Sequence, residues 1–379
     1  MRKIVTFFIL FVSTIFSIIA TEYTVPSVKE KLDFVSPLND ATIKLYKNNQ
    51  KQISYDGRFG EIQKQNKKLK TDKFHLGIDL TTENDSDPIL AVQDGVITDV
   101  WYEPGRLSHA GYHYKGNAAY GGLIAIDHNN GITTLYGRLG AILVKEGQQV
   151  KKGDIIGYIT RESVKERKVG NNEIGYHLHF EILINPFHEE IEKLGIFNEK
   201  PQYTDVLKNR NNEWLGLSSE FGYRNKLKNA SGGDLTNQDF HRGNDITTTS
   251  SKAYIYSILP GTVEVHYVMN DYVKSEFQRE GCSKTGNPWI AHSIYGGFVV
   301  LKHSEEIYSL YAHMDYTNSD EISETSSTLL PKGTFVGLMG STGLSTGPHL
   351  HFSMMIDPKK VIDFDNHVIH IIDKTISKN

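Results

Sequence analysis

The hydrophobic pattern is one of short strands. Leu123 to Asp127 and Phe298 to Leu301 are apolar, β-branched runs bounded by glycine-containing turns, which predicts strands. Val144-Lys-Glu-Gly-Gln-Gln-Val150-Lys-Lys-Gly153-Asp-Ile-Ile-Gly157 predicts a β-hairpin with glycine at its bends. Long amphipathic helical patterns are scarce, and Phe187 to Leu194 is the best short candidate.

The pattern also recurs along the chain. Arg58-Phe-Gly60 answers Glu220-Phe-Gly-Tyr-Arg224, and Gln93-Asp-Gly-Val-Ile97 answers Leu259-Pro-Gly-Thr-Val263. Tyr120-Gly-Gly-Leu-Ile-Ala-Ile-Asp-His128 matches Tyr295-Gly-Gly-Phe-Val-Val-Leu-Lys-His303. Leu135-Tyr-Gly-Arg138 and Leu310-Tyr-Ala-His313 follow at the same distance, since both Tyr-to-Tyr intervals are 16 residues. Phe180-Glu-Ile-Leu-Ile-Asn-Pro186 corresponds to Phe352-Ser-Met-Met-Ile-Asp-Pro358. A period of roughly 170 residues is far too long for a solenoid and predicts a tandem repeat of whole domains. The expected organisation is two mainly antiparallel β domains, residues 21–190 and 213–379, joined by a linker at 191–212 that is charged, Asn-rich and contains Pro201. The longest unmatched stretches, about 101–119 and 267–294, are expected to form loops over a groove or variable surface loops.

Composition narrows the function classes. With 379 residues the chain is long enough for two ordinary domains. Lys and Arg number 41 against 45 Asp and Glu, a net charge of -4, so no basic excess points to nucleic acid. Residues 1–20 read as a targeting signal: Arg2 and Lys3, then an apolar run from Ile4 to Ala20, with cleavage expected after Ala20. The competing reading is a retained membrane anchor, since the run is close to spanning length. After cleavage no integral membrane domain is expected. Cys282, the single cysteine, cannot form an intramolecular disulfide. Export without disulfides suits a bacterial envelope, periplasm or exterior, better than a disulfide-stapled secretion.

The chemistry lies in the histidines. His75-Leu-Gly-Ile-Asp79 is followed by His177-Leu-His179, and His241-Arg-Gly-Asn-Asp245 by His349-Leu-His351, at intervals of 102 and 108 residues from first His to HxH. Each set offers two imidazoles and a carboxylate as ligands, with a further imidazole beside them. Three protein ligands and a position left for water make up a hydrolytic zinc centre. In a strand, residues two apart share a face, so both histidines of each HxH can address one site. A His and an Asp four apart converge on one metal if the chain bends at Gly77 or Gly243. A lone HxxxD or HxH is a weak signal, but the ordered pair, repeated within matching glycines, is strong. His128 and His303 sit at equivalent strand ends and are expected to be structural.

With these motifs the chain resembles the lysostaphin/LytM-like zinc metallopeptidases, which cut peptide bonds of bacterial peptidoglycan. The resemblance covers about 34–187 and 214–364, and its most specific stretch is Gly340-Ser-Thr-Gly-Leu-Ser-Thr-Gly-Pro-His-Leu-His-Phe352. It implies LytM-like domains of the barrel-sandwich hybrid type. It also implies zinc held by His241, Asp245 and His351, with His349 and His313 as non-ligand catalytic histidines. In the first domain it implies ligands His75, Asp79 and His179, with His177 as one catalytic histidine. Arg138 stands where the second would be, and an arginine stays protonated and cannot act as a base near neutral pH. The Gly-Ser-Thr-Gly signature is missing there too.

The expected function is an exported zinc endopeptidase acting on stem peptides or cross-links of peptidoglycan, with the second domain catalytic and the first degenerate or regulatory. The alternative is a non-catalytic wall-binding protein or an activator of another wall hydrolase. A third reading, that residues 144–157 resemble the hairpin of lipoyl-type carriers, lacks an isolated lysine at the tip and leaves the histidines unexplained.

Overall fold

The computed structural model describes residues 24–43, 45–47, 53–62, 73–82, 87–101, 122–159, 167–169, 172–174, 177–208, 215–224, 239–249, 253–267, 295–315, 329–343, 345–362 and 371–372. Residues 1–20, where a targeting signal is expected, Cys282, and almost all of the two long unmatched stretches lie outside the described residues. Among the described residues, no helix is long and apolar enough to cross a membrane.

The fold is almost entirely antiparallel β. In the first half the principal strands are β1 (Ile78–Thr81), β2 (Gly95–Trp101), β3 (Gly122–Asp127), β4 (Ile132–Leu139) and β5 (Leu178–Ile184). They pair in the order β2–β3–β4–β5–β1. The second half uses β6 (Leu215–Ser219), β7 (Asn244–Thr248), β8 (Thr262–Tyr267), β9 (Gly297–Lys302), β10 (Ile307–Asp315), β11 (Phe335–Met339) and β12 (Leu350–Ile356). There β8–β9–β10–β12–β7 repeats the same order, with β6 beyond β7 and β11 also on β10.

The two sets do not stand apart. β5 and β12, each carrying an HxH, pair antiparallel through Ile182↔Ile356, Leu183↔Met355 and Ile184↔Met354. The result is one sheet of 16 strands running through both halves. Both central strands, LHFEILI and LHFSMMI, are buried at every position. A strand covered on both faces reads as a continuous apolar run rather than an alternation. Phe180, Ile182 and Ile184 share one hydrophobic cluster with Phe352, Met354 and Ile356. Each of the two fully buried Phe side chains contributes about 1.5–3 kcal/mol.

The segment between the halves packs on the core. Ile191–Leu194 forms one turn of 3-10 helix, the part of the expected Phe187 to Leu194 helix that forms, and Ile191, Leu194, Ile196, Val206 and Leu207 are buried. The chain N-terminal to the first half straps across both sets. Val28 N and Ser27 Oγ donate to the carboxylate of Glu306 at 2.7 and 2.5 Å, while Lys31 Nζ donates to Leu194 O at 2.8 Å.

The hairpin expected at 144–157 is not formed as such. Gln149–Val150 pairs with β2, whereas Ile155–Tyr158 pairs with Ala141–Ile142 and Pro88–Leu90. The turn residues are as expected, with Asp154 Oδ2 accepting from Lys151 N at 2.8 Å and Gly153 at a φ of +85°. The strands on either side diverge into different sheets. Turn chemistry fixes a reversal of the chain but not the partner of the strand that follows.

Candidate metal centre

Cross-strand register brings each acid to its histidine. Asp79 on β1 lies opposite His179 on β5, and Asp245 on β7 lies opposite His351 on β12. The remaining histidine of each set ends a short strand, Lys73–His75 or Asp239–His241, and the chain then bends back at Gly77 or Gly243. Glycine is required at both bends. A Cβ on Gly77 would run into the carbonyl oxygen of Phe180, and one on Gly243 into that of Phe352.

In the second set His241 Nε2 lies 3.0 Å from Asp245 Oδ1, Asp245 Oδ1 2.8 Å from His351 Nδ1, and the two imidazole nitrogens are 3.0 Å apart. In the first set the corresponding separations are 3.6, 2.8 and 3.2 Å for His75, Asp79 and His179. Both triads place one donor atom from each residue within 4.8 Å of the others. Tetrahedral zinc with bonds of ~2.0–2.1 Å needs donors spaced by about 3.3 Å, so two nitrogens and one oxygen at these distances fit the ion.

Each candidate ligand is oriented from behind. His75 Nδ1 faces Arg58 O at 2.8 Å and His241 Nδ1 faces Glu220 O at 2.7 Å. A carbonyl only accepts, so Nδ1 carries the hydrogen and Nε2 is left for the metal. The repeated x-Phe-Gly motif at 58–60 and 220–222 thus supplies the carbonyl that fixes each first histidine. His351 Nε2 meets Ser353 Oγ at 2.9 Å, whereas His179 Nε2 meets a carboxylate oxygen of Glu181 at 2.7 Å. Sequence reasoning overlooked Glu181 and Ser353, although the unlike pair stands in the otherwise matching runs Phe180-Glu-Ile and Phe352-Ser-Met.

Electrostatics follow from this crowding. Burial works to raise Asp245, but hydrogen bonds from His241 and His351 outweigh it and hold the carboxyl far below the usual range. Asp79 is likewise lowered against its burial, by His177, His75 and His179. Burial pushes His75 down. Burial also disfavours charge on His179, yet its bonds to Asp79 and Glu181 prevail and lift it to about 9. Both acids are thus anionic, the form a metal requires.

Beside the second triad stand the two further histidines. The rings of His313 and His349 are 4.6 Å apart, and that of His313 is 5.9 Å from His351. His313 Nδ1 donates to Thr342 O at 2.7 Å and His349 Nδ1 to Gly347 O at 2.8 Å, both carbonyls belonging to the 340–352 signature. Each ring therefore presents a bare Nε2. Burial, then the neighbouring His349 and His351, holds His313 down at about 3, so its imidazole is neutral.

His313 sits in a left-handed backbone conformation, φ +60°, where the β9–β10 pairing slips register. Arg138 has φ +66° at the corresponding slip between β3 and β4. Left-handed non-glycine residues cost about 1–3 kcal/mol and gather at functional sites. Arg138 Nε is buried and makes no hydrogen bond among the described residues. In the first set His177 Nε2 lies 3.6 Å from Asp79 Oδ2, as His349 Nε2 lies 3.7 Å from Asp245 Oδ1. His128 and His303 are elsewhere engaged, bonded to Asp94 O and Thr134 Oγ1, and to Pro260 O and Ser309 Oγ. His109 and His113 lie outside the described residues.

The model of peptidase family M23 matches residues 73–190 and 239–363, more than half of the chain and both sets of histidines. The chain belongs to peptidase family M23. Among M23 relatives, it is 33% identical over 118 residues to the DD-carboxypeptidase/endopeptidase Mpg of Neisseria meningitidis, covering 31% of this chain and 22% of that protein. It is 31% identical over 70 residues to the peptidoglycan DD-endopeptidase ShyB of Vibrio cholerae, covering 18% of this chain and 15% of that protein. The chain thus spans about a fifth or less of these relatives' length. Among solved structures it is similar to the catalytic domain of lysostaphin from Staphylococcus simulans, at 22% identity and a TM-score of 0.24, covering 34% of this chain and 77% of that one. LytU matches at 26% identity and a TM-score of 0.24, covering 34% and 70%.

Proposed function

We propose that this M23 peptidase is an exported, zinc-dependent endopeptidase that cuts peptide bonds of peptidoglycan, with its second half as the catalytic domain. The observation that carries the reading is the pair of buried histidines, His313 and His349, aimed by Thr342 and Gly347 beside the complete His241, Asp245 and His351 triad. Zinc held by that triad would supply Lewis acidity toward the scissile carbonyl and lower the pKa of water. The remaining steps belong to the chain. A neutral imidazole Nε2 takes the proton from the attacking water as the new C–O bond forms. The same or the neighbouring imidazole delivers a proton to the departing amine nitrogen as the C–N bond breaks. The imidazole that has taken the proton, its Nε2–H now a donor, stabilises the carbonyl oxygen as charge builds on it, until a proton passes to the departing amine.

The first half, by contrast, is a metal-retaining copy that does not turn over. Its triad is complete, but Arg138 occupies the backbone position of His313 and cannot accept a proton at neutral pH. Export rests on residues 1–20, and the substrate class on the two relatives named for peptidoglycan or DD-endopeptidase activity. The test is to incubate zinc-loaded chain, lacking residues 1–20, with purified peptidoglycan and identify released fragments by mass spectrometry. New amino termini within the peptides are expected, and intact wall after prolonged incubation overturns the enzymatic reading.

A further inference from the structure

Glu181 sits two residues after His179 on β5 and is 1% exposed. One carboxylate oxygen lies 2.7 Å from His179 Nε2. The other lies 3.1 Å from the Nε of Arg242, which belongs to the second half and directly follows His241. Arg242 Nη1 in turn reaches the hydroxyl of Tyr295 at 3.5 Å, and the Tyr295 ring lies 5.5 Å from that of His351. A continuous chain of contacts therefore leaves one triad through His179 and Glu181, crosses the β5–β12 seam at Arg242, and arrives at two members of the other triad. It reaches His241 through the peptide bond and His351 through Tyr295.

The sheet does not demand this arrangement. Ser353, which corresponds to Glu181, meets His351 Nε2 with a neutral hydroxyl. A buried carboxylate paired with an arginine is a poor source of net stability, because desolvation offsets most of the attraction. What it does supply is a fixed geometry between groups that each touch a separate site.

We propose that the Glu181–Arg242 pair couples the two metal sites, so that an ion held by His75, Asp79 and His179 tightens binding of an ion by His241, Asp245 and His351. The proposal rests on the reading of both triads as zinc sites. With Nδ1 of His179 on a metal, its Nε2–H is the donor to Glu181 and the ring is fixed. Glu181 is then held at both oxygens and holds the Arg242 side chain. That sets the backbone at His241 and the Tyr295 ring against His351 before the second ion arrives. Arg242 is accordingly a positioning residue, not a catalytic one.

The test is a thermodynamic cycle on the full chain. Zinc is titrated against a fluorescent chelator into wild type, Asp79→Ala and Asp245→Ala, and the overall two-ion constant is divided by the product of the two single-site constants. We expect a ratio of about fivefold or more, the lower range of site–site coupling, falling to one when the cycle is repeated on Glu181→Gln. If an Asp variant does not fold, His75→Gln and His241→Gln serve as the single-site forms. If Glu181→Gln does not fold, Arg242→Gln breaks the link from the other side. A wild-type ratio of one overturns the coupling, and a ratio unchanged in the Glu181 or Arg242 variant overturns this route, even if the variant melts at lower temperature. Fewer than two zinc ions per wild-type chain defeats the underlying metal reading itself.

Discussion

Replacing His313 by alanine separates metal holding from proton transfer. The His313 ring contacts His349 and stands 5.9 Å from His351 centroid to centroid, while the donor atoms of the triad are held by one another, by Glu220 O and by Ser353. The substitution leaves those contacts in place, so zinc content is expected to stay at the wild-type stoichiometry. It removes the one imidazole whose Nδ1–H is fixed on Thr342 and whose Nε2 faces the site. A positioned acid or base accounts for about 10²–10⁴ in rate, or about 3–5 kcal/mol of barrier. The orphaned Thr342 carbonyl costs a further ~1–3 kcal/mol of fold stability, which thermal unfolding reports separately. The assay is release of new amino groups from purified peptidoglycan, normalised to folded, zinc-loaded protein. His313→Ala retaining more than a tenth of wild-type activity, or losing zinc in step with activity, would refute this division of roles.

Three further outcomes follow from the geometry. Gly243→Ala places a methyl group against the Phe352 carbonyl oxygen and the Ser353 hydroxyl, so zinc binding by the second triad should weaken by tenfold or more; unchanged affinity in a chelator competition would contradict the bend. Burial holds His303 down to about 4 against an ordinary 6.5. Below pH 6.5 the unfolded chain therefore takes up a proton that the folded one refuses, removing about 2 kcal/mol of stability by pH 5 and about 3 kcal/mol by pH 4. His303→Gln should then show a shallower loss of urea midpoint between pH 7.5 and 5 than wild type, and parallel losses would sink the assignment. Chelation by 1,10-phenanthroline should abolish hydrolysis and stoichiometric zinc restore it, with activity persisting in metal-free protein as the contrary result.

Much of the site was written in the chain. The HxxxD and HxH spacings, with glycine inside the first, already require a bend and a shared strand face, and both are present at Gly77 and Gly243 and on β5 and β12. Strands at Leu123 to Asp127 and Phe298 to Leu301 were legible because apolar, β-branched runs between glycines leave little else to form. The seam between β5 and β12 was not. A strand buried on both faces carries no alternation, so its sequence says that it is central without saying which strand lies beside it. The Glu181–Arg242 pair was hidden for the same reason, since it crosses that seam. The left-handed backbone of His313 and Arg138 left no trace either, because positive φ is uncommon even for histidine, which is enriched there, and arginine carries no such preference.

The two requirements of hydrolysis are encoded in different parts of the fold. Metal holding is written in sheet register: Asp79 opposite His179, Asp245 opposite His351, and a first histidine opposite Gly60 or Gly222. Such pairings persist as long as the strands persist, whatever the loops contain. The histidines proposed for proton transfer are aimed instead by the 340–352 segment, whose Thr342 and Gly347 carbonyls set the tautomer of His313 and His349. In the first half Arg138 occupies the His313 position, while the sheet that presents Asp79 and His179 is intact. In the proposed reading the first half keeps its metal triad and lacks one proton-transfer group, because residue 138 on β4 is arginine while Asp79 and His179 stay on paired strands. The first triad shares its strand β5 with the seam to β12. A change within β5 itself would reach the strand against which the second triad is built.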